Sequence, residues 1–282
     1  MIGRIRMLAL VTLVLFGLAP LGAHAAEQTF TRTINLRDRL NLTIISGAGS
    51  IQFNQGPPGR LRITGHVKAN DWRPTDDRLR DIAANPPIRQ DQNIIRIGST
   101  EELTHVIIDY EIEAPADSII HAGAGVGDIF DDGVGQEAHF NTVSGNIHAT
   151  GLAGSIDVSS RDGDIEVEQS GRGVVKAVSI TGNLELRNLN SALHAATDAG
   201  SIKVSGVPGG DWSVQTGKGD VDLALGVAAC TIDAQTSDGL VRSDLKIEGA
   251  NSSNSRHLAG RINGGGHNVT VQTGEGEIRL HS

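Results

Sequence analysis

The sequence predicts an all-β protein: a β-solenoid with two short strands per coil of about 18 to 20 residues, preceded by an irregular β-rich region with one short helix. Three observations predict it. Glycine supplies 36 of 282 residues, close to twice its usual share of about 7%, while large side chains are few: five Phe, two Trp and one Tyr. A five-residue unit beginning with Gly recurs from about residue 127 onward. Within each unit apolar and polar residues alternate, the period-2 signature of a strand with one buried face, and the leading Gly permits a turn that a side chain forbids. The 38% hydrophobic content is enough for a packed core and, with 20% charged residues, excludes a wholly disordered or wholly membrane-embedded chain.

From the N-terminus, residues 1–25 have the three parts of an export signal: Arg4 and Arg6, the apolar run Met7 to Leu18, and Ala23-His24-Ala25 as a small-residue cleavage site. Cleavage is expected before Ala26, leaving no transmembrane segment. The mature chain then carries 22 basic against 33 acidic residues, a net charge of −11, which argues against nucleic acid and anionic membrane surfaces as partners. Cys230 is the one cysteine, so neither an internal disulfide nor a lipid-anchoring cysteine after the signal is available. The expected location is exported, either periplasmic or secreted to the cell surface, and not lipid-anchored.

Residues 26–120 show no period and read as an N-terminal β-rich region. Its candidate strands are Thr29 to Leu36, Leu40 to Ile45, Ser50 to Phe53, Leu61 to Lys68, Asn93 to Ile97, Val106 to Ile112 and Ser118 to His121. One helix is expected at Asp76 to Ala84, capped by Thr75 and stopped before Pro86 and Pro87. Pro115 punctuates the passage into the repeats.

Residues 121–282 form the repeat region. Its units include Gly145-Asn146-Ile147-His148-Ala149, Gly163-Asp164-Ile165-Glu166-Val167, Gly182-Asn183-Leu184-Glu185-Leu186, Gly200-Ser201-Ile202-Lys203-Val204 and Gly219-Asp220-Val221-Asp222-Leu223. These glycines are 18, 19, 18 and 19 residues apart. A partial copy, Gly239-Leu240-Val241-Arg242, follows 20 residues later, and the 37 residues from Gly239 to Gly276 read as two more periods. Half a period out of phase lie Gly154-Ser155-Ile156-Asp157-Val158, Val175 to Val178, Trp212-Ser213-Val214, Cys230-Thr231-Ile232 and Val269-Thr270-Val271. Coils stacked about 4.8 Å apart turn equivalent positions into ladders. The inward ladder is Ile147, Ile165, Leu184, Ile202, Val221, Val241 and Ile278. The outward one is His148, Glu166, Glu185, Lys203, Asp222, Arg242 and Arg279, alternating in sign from Glu185 to Arg242. The Asn-Ser run within Gly249 to Arg256 reads as a surface loop.

The Thr-rich β start, the short polar helix, the segment Tyr110-Glu111-Ile112-Glu113-Ala114-Pro115, the Gly-Asp-Ile-like units and the closing stretch from Ile262-Asn263-Gly264-Gly265-Gly266 to Leu280 resemble a bacterial family labelled "putative adhesin", a domain of otherwise unknown function. The resemblance covers nearly all of the mature chain. It implies an exported β-solenoid, sometimes linked with envelope stress responses, and carries no catalytic, cofactor-binding or metal-ligating residues.

Read for chemistry, Glu166 and Glu185 lie one rung apart, near the separation of a retaining glycosidase pair, yet the repeats offer few aromatics to stack on a sugar. The solvated-face reading is preferred. Asp162, Asp164, Glu166 and Glu168 alternate along one segment, but the aliphatic residues Ile165, Ile202 and Val221 stand where a calcium β-roll places its ligand pattern. His121, His139 and His148 lack metal-ligand spacing. Cys230 and Trp212 read as core, and Ser144 and Thr236 as ordinary turn residues. No catalytic, cofactor-binding or metal site is therefore assigned. The expectation is a non-enzymatic, adhesin-like envelope or surface interaction protein whose partner is a cell-surface, glycan or envelope protein ligand. The alternatives are a carbohydrate-active enzyme on a β-helix scaffold and a periplasmic envelope-stress component with a protein partner.

Overall fold

The computed structural model describes residues 27–70, 75–98 and 105–282. The expected export signal and its cleavage point lie outside them. Chain order gives β1 (Glu27–Asn35), β2 (Asn41–Ala48), β3 (Ile51–Gln55), β4 (Arg60–Ala69), the helix α1 (Asp76–Ala84), β5 (Ile88–Asp91), β6 (Ile94–Ile97) and β7 (Val106–Ala114). The repeats supply β8 (Ile119–Val126), β9 (Ile129–Asp132), β10 (Glu137–Ser144), β11 (Ile147–Leu152), β12 (Ser155–Asp162), β13 (Ile165–Gln169), β14 (Val175–Thr181), β15 (Leu184–Leu189), β16 (Leu193–Ala199), β17 (Ile202–Gly206), β18 (Trp212–Lys218) and β19 (Val221–Ala224). Six more follow: β20 (Cys230–Asp238), β21 (Val241–Ser243), β22 (Ile247–Asn254), β23 (His257–Ile262), β24 (His267–Glu275) and β25 (Ile278–His281).

Each coil sends one strand to each of two sheets, so the all-β solenoid with two strands per coil is what forms. The first sheet has the order β1-β4-β7-β3-β9-β11-β13-β15-β17-β19-β25-β21 and the second β22-β23-β20-β24-β18-β16-β14-β12-β10-β8-β2-β6-β5. Alternation puts one side of the stacked coil strands between the sheets: Ile147, Ile165, Leu184, Ile202, Val221 and Ile278 are buried, and Val241 on the edge strand is half-buried. Each such side chain contributes about 1.5–3 kcal/mol of burial. Both sheets and one apolar core cross residue 120 without a break, and Phe53 of the first sheet stacks on Phe140 of the second at 5.8 Å. The helix α1 forms where expected. The Thr75 hydroxyl accepts the Arg78 N–H at 3.3 Å, Asp76 and Asp77 favour the positive end of the helix, and Leu79 is buried.

The stack leaves chain order at both ends. Strands β24 and β25 do not extend it: they slot between the β18–β19 coil and the β20–β21 coil, so Val221 pairs with Ile278, which pairs with Val241. The 37-residue interval expected as two periods is therefore an excursion and a return. Its outward part is the antiparallel pair β22–β23 laid against β20, which corrects the surface loop expected over Gly249 to Arg256. The outward ladder consequently runs Asp222, Arg279, Arg242, and the expected alternation of sign ends in two neighbouring arginines. Arg242 turns aside to Glu277 at 3.3 Å. At the other end β6 and β7 pair outside β2 and β3, while β8 and β9 pair inside them. Antiparallel strands finish three of the sheet ends, β4 and β1 on β7, β5 on β6, and β23 and β22 on β20, covering edges that would template aggregation.

One corner of each coil is held by two hydrogen-bond ladders. Inside it, the hydroxyls of Thr142, Ser160, Ser179, Thr197, Thr216 and Thr273 donate to the carbonyls of Gly127, Gly145, Gly163, Gly182, Gly200 and Gly219 at 2.9–3.1 Å. Thr236, expected in a turn, belongs to this ladder: it lies buried in β20 and donates to the Gly276 carbonyl at 2.9 Å. Ser144, likewise expected in a turn, is the exposed last residue of β10. Outside the corner, Asp128, Asn146, Asp164 and Asn183 accept the backbone N–H of the next coil at 2.7–2.9 Å. Glycine is required between the ladders. Gly200 has φ of +152°, and a Cβ there would lie 2.0 Å from the Gly182 carbonyl oxygen.

Candidate functional site

Alternation places the residue after each buried aliphatic on the outer face of the first sheet. Register then aligns Phe130, His148, Glu166, Glu185 and Lys203 across five neighbouring strands. Together with the corner residues Asn146, Asp164, Asn183 and Ser201 this row borders a groove of about 620 Å³. At one end Phe130 is 40% exposed, and its ring centre lies 6.5 Å from that of His148. His148 Nδ1 is 2.8 Å from Glu166 Oε2.

Glu166 and Glu185 stand side by side as the spacing predicts, but Arg187 joins them. Its Nε donates to Glu185 Oε1 at 3.1 Å, and its Nη1 donates to Glu166. The hydrogen bond to Glu185, with the charges of both carboxylates, holds the guanidinium still more firmly in its charged form. Arg187 thus bridges the two carboxylates.

The other candidates are dispersed. Asp164 is committed to the Asn183 N–H at 2.7 Å, Glu168 accepts from Asn188 Nδ2 at 2.8 Å, and Asp162 ends β12 exposed. Among the described residues no three His, Cys, Asp or Glu side chains gather as a metal set. His121 and His139 lie on the second sheet, their rings stacked at 4.7 Å, far from the row that holds His148. Cys230 is buried and its thiol is pushed up by that burial. Trp212 is buried, with Nε1 donating to the Ser191 carbonyl at 2.7 Å.

Two groove residues escaped the reading of the sequence. Phe130 follows Gly127-Asp128-Ile129, one period before His148, and extending the outward row back by one unit would have found it. Arg187 is two residues after Glu185 and so shares its face. Beneath the row, Asp131 points into the core. Its Oδ1 accepts the Val134 N–H at 2.8 Å, its Oδ2 has no partner among the described residues, and burial lifts its carboxyl well above the usual carboxylate range.

A family model described as Toastrack DUF4097 matches residues 117–281, more than half of the chain. The chain belongs to that family. The Toastrack match spans β8 to β25 and so contains the groove from Phe130 to Lys203. No curated protein matches this Toastrack chain. It is similar to three solved structures. The first is a "putative adhesin" from Bacteroides fragilis at 16% identity, covering 90% of this chain and 97% of that one, with a TM-score of 0.38. The second is a "putative adhesin" from Parabacteroides merdae at 11% identity, with the same coverages and a TM-score of 0.34. The third is a "putative cell adhesion protein" from Clostridium sporogenes at 13% identity, covering 90% and 99%, with a TM-score of 0.27. Among the described residues no helix is long and apolar enough to cross a membrane.

Proposed function

We propose that the chain is an exported envelope or surface interaction protein that binds its ligand, without chemistry, along the outer face of the first sheet. One observation carries this reading. The row from Phe130 to Lys203 lines a groove across five strands, yet its carboxylates Glu166 and Glu185 are engaged by Arg187 and His148 rather than left to act on a substrate. The Arg-apolar-small order of residues 1–25 supports export. The test is fractionation of cells, with protease treatment of intact cells. Surface accessibility supports an adhesin-like role, a protected periplasmic protein moves the reading to an envelope component with a protein partner, and a cytoplasmic protein refutes export.

A second reading has its own observation. Glu166 and Glu185 are adjacent carboxylates in a groove, so a carbohydrate-active enzyme on this scaffold would have them as its pair. It requires Arg187 to swing away from both.

A further inference from the structure

We propose that the groove of the first sheet holds a neutral, linear glycan laid along the solenoid axis, with the apolar face of one pyranose ring on Phe130. This names the ligand class of the interaction-protein reading and rests on that reading.

Four observations converge on it. The strands β9, β11, β13, β15 and β17 present equivalent side chains once per rung, and with rungs about 4.8 Å apart the row spans about 19 Å. A ligand matching such a row repeats at a similar interval, as the pyranose units of an extended glycan do. Phe130 is an outward aromatic in an aromatic-poor chain, 40% exposed at the end of an otherwise polar wall, and offers the flat apolar surface that a sugar ring covers. Charges of both signs stand close together, since Arg187 spans Glu166 and Glu185 and Lys203 follows Glu185 on the next rung, with Asp164 on the facing wall. Three carboxylates against two fixed cations leave too small an excess to hold a polycation and the wrong sign to hold a polyanion. Along the opposite wall the exposed Asn146 directs its amide oxygen to the next coil and holds its N–H groups at the groove edge, donors of the kind that hydroxyl oxygens require, while Asn183 Nδ2 donates to Asp164 Oδ1 at 3.3 Å.

An extended peptide is the less suitable occupant. Each of these five strands is already paired on both sides, so no main-chain edge remains for an added strand. What the groove offers is side chains at regular intervals around a flat apolar ring, and that is a sugar-binding chemistry.

The test is calorimetric titration of the mature chain with neutral cello-, xylo- and N-acetylchito-oligosaccharides from disaccharide to octasaccharide. Alongside it, wild type and Phe130→Ala are compared for binding to whole cells and isolated envelopes. The expected result is affinity for a neutral series that rises with length to about four units, the extent of the row, and then levels off. That affinity should be unchanged between about 0.05 and 0.3 M salt. Phe130→Ala should weaken it by about tenfold or more while Phe130→Trp retains it. Phe130 is exposed, so unchanged circular dichroism and melting certify each variant. Binding only to anionic glycans with a steep salt dependence would overturn the proposal, as would neutral-glycan binding indifferent to Phe130→Ala. Equal binding of cells or envelopes by both proteins, with no glycan bound, refutes the glycan and leaves the interaction reading intact. Binding of neither cells nor glycans refutes both.

Discussion

His281 Nε2 lies 2.6 Å from Asp222 Oδ1, fastening the last strand to one 59 residues earlier in the chain. The contact stitches β25 to β19, the neighbour it acquires by slotting into the stack rather than extending it.

The hydrogen bond to Asp222 raises the His281 pKa above 6.5, with the Ser282 carbonyl and the Asp222 charge adding to it and burial and Arg279 opposing. A folded-state pKa above the unfolded one makes the contribution complete below 6.5 and removes it as pH rises through the folded value. His281→Gln should therefore cost stability at pH 5 and almost none at pH 9, by less than about 1 kcal/mol because the pair is partly exposed. Melting curves of both proteins across that range check the direction, and a difference growing with pH would contradict it.

Asp131 predicts a second pH dependence. With its carboxyl raised by burial, the folded state binds a proton that the unfolded state releases, so this contribution is complete at low pH and lost as pH rises through the folded value. Asp131→Asn should relieve that loss, raising the melting temperature at pH 8 more than at pH 4. Equal shifts at both would show that Asp131 finds a partner when ionised.

Ile202 is buried between Leu184 and Val221 in the inward ladder. Ile202→Asp should unfold the coils, since an unpaired buried carboxylate costs several kcal/mol. Gly200→Ala should be destabilising by a different route, strain at φ +152° and collision with the Gly182 carbonyl, of about 1–3 kcal/mol for the backbone alone. Chemical denaturation measures both, and unchanged midpoints would refute this register.

Ending the chain after Asn263 tests the order of the coils. If the stack followed the sequence, only its end would be lost. With β24 and β25 lying inside it, β20 to β23 lose the neighbours on which they pack. Limited proteolysis should then trim the shortened chain back to about Leu225. A protease-resistant 226–263 segment would contradict the slotted arrangement.

Much of this was legible because each coil repeats one local pattern. The buried Ile147-to-Val221 ladder and the outward His148-to-Lys203 row follow from period and alternation alone, and the Thr75 cap from the helix start signal ahead of Asp76. A period reports that segments share a shape, not the order in which they stack. Val241 and Ile278 both fit the ladder, and nothing local says that Ile278 lies between Val221 and Val241. The β22–β23 pair was hidden for the opposite reason: an Asn- and Ser-rich edge strand does not alternate. At the groove, register brought Glu166 beside Glu185, but the contact that decides its chemistry comes from Arg187, whose long side chain crosses a rung that a ladder diagram treats as independent.

The most direct test asks whether the groove acts on a bound ligand or only holds it. Wild type and the double variant Glu166→Gln with Glu185→Gln are incubated with neutral and acidic envelope and plant polysaccharides, and released reducing ends and unsaturated products are measured. A binding groove predicts no turnover by either protein, with fold and glycan or cell binding largely surviving the double change. Robust turnover by wild type, abolished in a double variant whose melting is unchanged, would make Glu166 and Glu185 a catalytic pair and contradict the non-enzymatic reading.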